Sequence, residues 1–180
     1  MAIRVVVAGA TGWTGSAVAK AILGGGDFVL AGAVARSAAG KDVGEVLGLP
    51  KAGLAVSATL TQALAAPSDV VVDYTKPNAV KGHALEALAA GRHVVIGTSG
   101  LGADDYREID AAAKAAGKGV FAAGNFSVTA ALLKRFAASA AKYVRDVEII
   151  DYAYQGKPDT PSGTARELAE QLSLVRQPGT

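Results

Sequence analysis

The opening stretch, Ile3 to Gly15, constrains this chain more than any other. Ile3-Arg4-Val5-Val6-Val7-Ala8 is a short apolar run of the kind covered on both faces in a parallel sheet. It breaks into Gly9-Ala10-Thr11-Gly12-Trp13-Thr14-Gly15 and continues as Ser16-Ala17-Val18-Ala19-Lys20-Ala21-Ile22-Leu23, which reads as a helix. Strand, glycine-rich turn and helix, in that order, make a cradle for a dinucleotide pyrophosphate. The glycines let backbone N–H groups approach the phosphates, and the positive end of the helix favours their charge.

Composition narrows the classes around that start. A chain of 180 residues, 51% hydrophobic, suits one globular domain, or one plus part of another. A net charge of +2 gives no reason to expect nucleic acid or a membrane surface as partner. There is no cysteine, hence no disulfide framework and no thiol nucleophile. No apolar run reaches the length of a bilayer span, and the N-terminus does not read as a signal peptide. A cytoplasmic protein is expected. No spacing of ligand residues suggests a metal site.

The alternation continues along the chain. Phe28–Ala35 reads as a second strand after the stop at Gly24-Gly25-Gly26, and Ser37–Pro50 reads as loop. Leu54-Ala55-Val56 is expected as an edge strand and Thr59–Leu64 as a small helix capped by Thr59. Val70–Tyr74 reads as strand, with Asp73 near its end, and Ala79–Ala90 as helix. His93–Gly97 reads as strand, Ala103–Ala116 as helix and Gly119–Ala123 as strand. Strands alternating with helices across short connections imply an α/β fold, a doubly wound parallel Rossmann-type sheet. Near Gly124 the character changes. Ser127–Tyr143 is a long helix, Val147–Tyr154 alternates like a strand with one covered face, and Thr164–Leu174 is a helix. The expected organisation is a dinucleotide-binding domain over 1–124, then an incomplete α+β substrate and oligomerisation domain that begins over 125–180.

Two signals sharpen the cofactor. The pattern Gly9, Gly12, Gly15 follows a strand and opens a helix, the context such a glycine motif requires. Roughly 20 residues on, NAD-binding folds place an acid on the ribose 2′-hydroxyl. Here the segment is Ala33-Val34-Ala35-Arg36-Ser37, with an arginine and no carboxylate. A guanidinium pairs well with a 2′-phosphate, so NADPH is expected, with NADH as the lesser alternative. Candidate ligand positions also fall at the carboxyl ends of three other strands: Asp73–Pro77, Gly97–Gly100 and Ala123–Ser127. The same residues also serve as turn formers and caps. His83 and His93 lie in the nucleotide-binding half and read as structural residues.

The last informative stretch runs from Glu148 to Ala165. Lys157 precedes Pro161-Ser162-Gly163-Thr164 at the mouth of a helix, where N–H groups can hold a carboxylate and a lysine can supply charge or a proton. Thr164 with Glu167 also has the spacing of a capping box. At these residues the chain resembles the dihydrodipicolinate reductase family. The likeness rests on the glycine start, Asp73-Tyr74-Thr75 with Pro77, Val95–Gly100, Asn125-Phe126-Ser127, and Lys157-x-Asp159-x-Pro161-Ser162-Gly163-Thr164-Ala165.

That resemblance implies an NAD(P)H-dependent reduction of a cyclic imine dicarboxylate, 4-hydroxy-tetrahydrodipicolinate, in lysine biosynthesis, by a homotetramer. It implies that Gly9, Thr11, Gly12, Trp13 and Thr14 meet the pyrophosphate and Arg36 the adenosine ribose. Gly97, Thr98, Ser99, Asn125 and Phe126 would surround the nicotinamide. Lys157 would donate a proton, and Gly163 and Thr164 would hold a substrate carboxylate. The family's adjacent histidine pair is replaced here by Ala153 and Tyr154. Tyr154, as a hydrogen-bond donor to substrate, joins Lys157 as the second candidate for catalysis and substrate binding. The alternative this substitution raises is a relative that binds NADPH but turns over another imine, or nothing. A third class, the acyl-phosphate reductases that also begin Gly-Ala-Thr-Gly, needs a catalytic cysteine and is set aside.

Overall fold

The computed structural model describes residues 2–144, 146–153, 155–156 and 160–175. They form two compact units that divide between Ala122 and Ala123.

The N-terminal unit is built on β1 (Ile3–Ala8), whose side chains alternate between two faces. Val5 and Val7 pack into one apolar cluster with Ala19 and Ile22 of α1 (Trp13–Gly24). Val6 and Ala8 pack into another with Leu60, Val80, Leu88 and Ile109. Each cluster is roofed by helices whose buried residues recur at helical spacing. Gly15, Ala19 and Ile22 do so on α1, as do Val80, Ala84, Ala87 and Leu88 on α4 (Pro77–Ala89). The remaining elements are β2 (Phe28–Val34), α2 (Val43–Val46), α3 (Leu60–Leu64), β3 (Val70–Asp73), β4 (His93–Ile96), α5 (Ala103–Ala116) and β5 (Val120–Ala122).

The five strands are parallel in the order β2-β1-β3-β4-β5. The chain leaves β1 to one side for β2 and returns on the other side for β3. The carboxyl ends of β1 and β3 therefore flank the crevice where such sheets take ligands.

Two expectations in this unit are corrected. Leu54–Val56 is no strand. Only isolated bridges form nearby, Val34 with Ser57 and Asp42 with Ala55. The cause is Asp42, whose carboxylate accepts from the backbone N–H groups of Gly44, Glu45, Ala52 and Gly53 and gathers the segment into a compact loop. The span read as loop also contains a 3₁₀ turn, Arg36–Ala38, and α2, which Asp42 caps. Thr59 caps α3 as its position suggested, accepting from Gln62 N–H.

The C-terminal unit contains α6 (Val128–Ala140) and α7 (Gly163–Val175). Ser127 caps α6 by accepting from Ala130 N–H. The strand expected over 147–154 is absent from the described residues 146–153. A strand needs a ladder partner, and no paired strand occurs in the described part of this unit. Val147, Ile150 and Tyr152 are exposed there.

Candidate functional site

The turn after β1 is shaped by close backbone approach. Gly9 has φ +82°, and a Cβ on it would lie 2.3 Å from the Tyr74 carbonyl oxygen. A Cβ on Gly15 would lie 2.1 Å from the Gly9 carbonyl oxygen. Both glycines are therefore required by the packing of α1 and the β3 loop onto this turn. Gly9 and Ala10 donate to the Val34 carbonyl, and Gly12 N–H donates to that of Gly9. Gly12 is the N-cap of α1 and brings no side-chain hydrogen bond to it. The N–H groups of the first turn thus point out of the helix end without acceptors in the helix.

This turn forms one wall of a cleft of about 830 Å³. Of the expected cofactor residues, Gly9, Thr11, Gly12 and Arg36 line it, together with Tyr74, Thr75, Lys76, His83 and Glu86 among others. Arg36 opens the 3₁₀ turn directly after β2 and is exposed. Trp13 and Thr14 begin α1 outside the cleft lining, and the Trp13 side chain is 99% exposed. Gly97, Thr98 and Ser99 follow β4 and do not line the cleft. Gly97 lies against Tyr74, whose ring a Cβ would meet at 2.1 Å.

A buried carboxylate organises the β3 and β4 ends. Asp73 is fully buried. Its Oδ1 accepts from Thr75 N–H (2.9 Å), Thr75 Oγ1 (2.7 Å) and Thr98 Oγ1 (2.8 Å), and its Oδ2 pairs with His83 Nδ1 at 2.8 Å. Burial pushes the Asp73 pKa up, but the bonds from His83, Thr75 and Thr98 outweigh it and hold it below the usual carboxylate value. The bond to Asp73 raises the His83 pKa against the opposing effect of burial, with the charges of Asp73 and Glu86 adding to the rise. Thr98, expected at the nicotinamide, has its hydroxyl engaged here. His83, expected to be structural, pairs with buried Asp73 and also lines the cleft. The spacing of His83, ten residues after Asp73 on the helix that follows the strand, was the available signal. His93 does serve structure, accepting from Gly119 N–H at 3.0 Å.

In the C-terminal unit the described substrate candidates, Gly163 and Thr164, lie at the start of α7. The helix begins at Gly163, one residue before the expected Thr164. Ser162 Oγ accepts from Ala165 N–H at 3.2 Å. Asp151 grips Ser162, accepting from its N–H (2.7 Å) and its hydroxyl (3.0 Å). The Thr164–Glu167 capping box is therefore not formed: Ser162 takes the cap, which places Glu167 beyond the first turn. Thr164 Oγ1 instead accepts from Asn125 Nδ2 at 3.1 Å, while Asn125 Oδ1 accepts from Ser127 N–H. Asn125 thus joins a cofactor candidate to a substrate candidate. The N–H groups of Gly163 and Thr164 lack acceptors within α7. Phe126 is half-exposed. Ala153 is exposed, and both proposed proton donors, Tyr154 and Lys157, lie outside the described residues. No cluster of metal-ligating side chains occurs among the described residues. No helix among them is long and apolar enough to cross a membrane.

Comparison with known proteins decides the family. The description "Dihydrodipicolinate reductase, N-terminus" matches residues 3–126, and "Dihydrodipicolinate reductase, C-terminus" matches residues 127–179. The chain belongs to the dihydrodipicolinate reductase family. A 4-hydroxy-tetrahydrodipicolinate reductase from Desulfitobacterium hafniense is 41% identical over 178 residues, covering 98% of this chain and 67% of the relative. A dipicolinate-bound dihydrodipicolinate reductase from Paenisporosarcina sp. TG-14 superposes with a TM-score of 0.76 at 30% identity, covering 98% of this chain and 68% of that one. GenD2 from gentamicin A biosynthesis, solved in complex with NAD, superposes with a TM-score of 0.61 at 26% identity, over 77% of this chain and 40% of that one. The chain thus spans about two thirds of the length of the reductases it matches. As in that family, its sheet is Rossmann-type, and the family is one of oxidoreductases.

Proposed function

We propose that the chain binds NADPH through its N-terminal domain, residues 1–124. Residues 125–180, the start of the substrate domain, would present a cyclic imine dicarboxylate for reduction. The substrate is 4-hydroxy-tetrahydrodipicolinate, the product tetrahydrodipicolinate, and the setting lysine (diaminopimelate) biosynthesis in the cytoplasm, in a homotetramer. Membership of the family and the names of its relatives support the reaction.

The residues present fit the cofactor. The cleft joins an uncapped helix start, suited to a pyrophosphate, to an exposed arginine after β2, suited to a 2′-phosphate. Gly9, Thr11 and Gly12 would face the phosphates, with the main chain of Trp13 and Thr14 donating from the helix end. No acid stands in Ala35-Arg36-Ser37 directly after β2 to repel a 2′-phosphate or to hold a 2′-hydroxyl, which favours NADPH over NADH. Bound here, the reduced nicotinamide supplies a hydride.

The rest falls to this chain's own side chains. Gly97, Ser99 and Phe126 would bound the nicotinamide, while Thr98 and Asn125 hold the neighbouring segments in place through Asp73 and Thr164. The N–H groups of Gly163 and Thr164 would hold a substrate carboxylate. Carbon 4 would take the hydride once its hydroxyl has left as water and a conjugated dihydropyridine has formed. Lys157 would give its proton to the ring nitrogen in that step, and the resulting enamine returns to the product's imine by a proton shift to carbon 3. Tyr154 would hydrogen-bond the substrate where the family carries histidine.

The observation that carries this reading is a helix start of outward N–H groups, fixed from Asp151 and Asn125, in a chain of this family whose other unit holds a cleft lined by the glycine turn and Arg36. Its test is nicotinamide oxidation by the purified protein with enzymatically made substrate. NADPH is expected to give the higher kcat/KM. Lys157→Ala is expected to lower kcat by about a hundredfold or more with little change in the KM for NADPH. Equal use of both cofactors overturns the role of Arg36, and an unchanged kcat removes Lys157. Tight NADPH binding without any turnover favours the relative that binds cofactor only.

A further inference from the structure

Glu167 has the spacing to box with Thr164, yet it does something else. Its Oε1 lies 2.6 Å from Nζ of Lys134 on α6. Lys134 is 8% exposed. An ammonium buried to that degree is costly unless paired, so the geometry of its partner matters. Glu167 Oε2 is shielded from water and has no hydrogen-bond partner among the described residues. It packs against main chain: a Cβ on Gly124 would lie 3.1 Å from it and 3.6 Å from the Gly163 carbonyl oxygen. Two polar links therefore tie the segment from Gly124 to Lys134 to the start of α7, Asn125 to Thr164 and Lys134 to Glu167. Between them lies Gly163, first residue of the helix.

We propose that Lys134 and Glu167 form a positioning pair for the anion-binding start of α7, with Lys134 also cancelling the charge of Glu167. The proposal rests on the reading above, that Gly163 and Thr164 receive a substrate carboxylate. The Glu167 side chain is 36% exposed but its Oε2 is shielded beside that helix start, so an unpaired carboxylate there repels an incoming dianion at short range. Paired with Lys134 it fixes the angle of α7 without opposing the ligand. Neither side chain touches the substrate.

The electrostatic part gives the two single variants opposite signs, which a plain strut would not. The probe is pyridine-2,6-dicarboxylate, titrated calorimetrically into the protein without cofactor, alongside steady-state kinetics. Lys134→Met leaves Glu167 as an uncompensated anion and weakens probe binding about tenfold, with a matching rise in substrate KM. In that variant kcat and the KM for NADPH stay near wild type. Glu167→Gln leaves the lysine charge and tightens the probe a few-fold at low salt. Lys134→Met combined with Glu167→Gln recovers most of the affinity lost by Lys134→Met alone.

If both single variants weaken binding and the double is worse than either, the pair is only structural and the proposal is overturned. If Lys134→Met does not fold, Glu167→Gln decides by its sign, with Lys134→Arg expected to keep wild-type binding. A wild-type protein that binds no dicarboxylate overturns the reading of the α7 start itself, and the proposal with it. A wild type that binds normally, with Lys134→Met unchanged, overturns the ion-pair proposal alone.

Discussion

Two helix starts, one in each unit, are presented by opposite constructions. In the N-terminal unit α1 begins at a glycine with no side-chain cap, and the helix is fixed by what it buries: Gly15, Ala19 and Ile22 against the sheet. In the C-terminal unit α7 buries none of its residues. Its start is fixed by polar links instead, Asp151 to Ser162, Asn125 to Thr164 and Lys134 to Glu167. A helix anchored by apolar packing can leave its end bare for a ligand. One without a buried face must be held by side chains beside the ligand, so positioning and binding share the same residues.

The largest effect should come from breaking the packed construction. Gly15→Val forces a side chain into the Gly9 carbonyl. It should cost about 3 kcal/mol in urea unfolding and abolish NADPH binding. A variant as stable as wild type would show that α1 is not set by that contact. Breaking the polar construction should cost less stability and more function. Asp151→Ala removes both acceptors of Ser162, for about 1 kcal/mol. Dicarboxylate binding should nevertheless weaken several-fold while NADPH binding holds. Equal weakening of both ligands would erase the contrast between the units.

The smallest effect concerns the cleft wall of the N-terminal unit. The bond to Asp73 raises the pKa of His83 in the folded state. The charged pair therefore contributes stability that is fully present below the unfolded histidine value, about 6.5, and is lost as pH rises through the higher folded value. His83→Gln should be less stable than wild type at pH 6, with a gap that narrows as the solution becomes alkaline. Parallel pH profiles for the two proteins would show that the pair carries no charge.

Legibility in the sequence followed the same division. The sheet was readable because Val5 and Val7 alternate with Val6 and Ala8, and each face finds helices with matching periodicity. The turn was readable from Gly9, Gly12 and Gly15, although Gly9 and Gly15 are as much demands of backbone packing as of a ligand. What local spacing could not carry were contacts between distant residues. Thr164 and Glu167 have the spacing of a box, but Asp151, eleven residues before Ser162, fixes the cap two residues earlier, at Ser162. Asp42 draws in Ala52 and Gly53 and prevents an edge strand that propensity alone would allow. The alternation from Val147 onward resembles a strand, yet a strand exists only with a partner. His83 looks like any helix residue until β3 delivers Asp73 beside it.

Asp73 has one more consequence, for how the family's sequences can drift. A single carboxylate, without access to water, joins the loop after β3 through Thr75, the loop after β4 through Thr98, and the helix between them through His83. A change in any one of the three alters what the other two must satisfy. Substitutions at these positions should therefore be strongly non-additive in combination, so that the three segments evolve as a single inherited block.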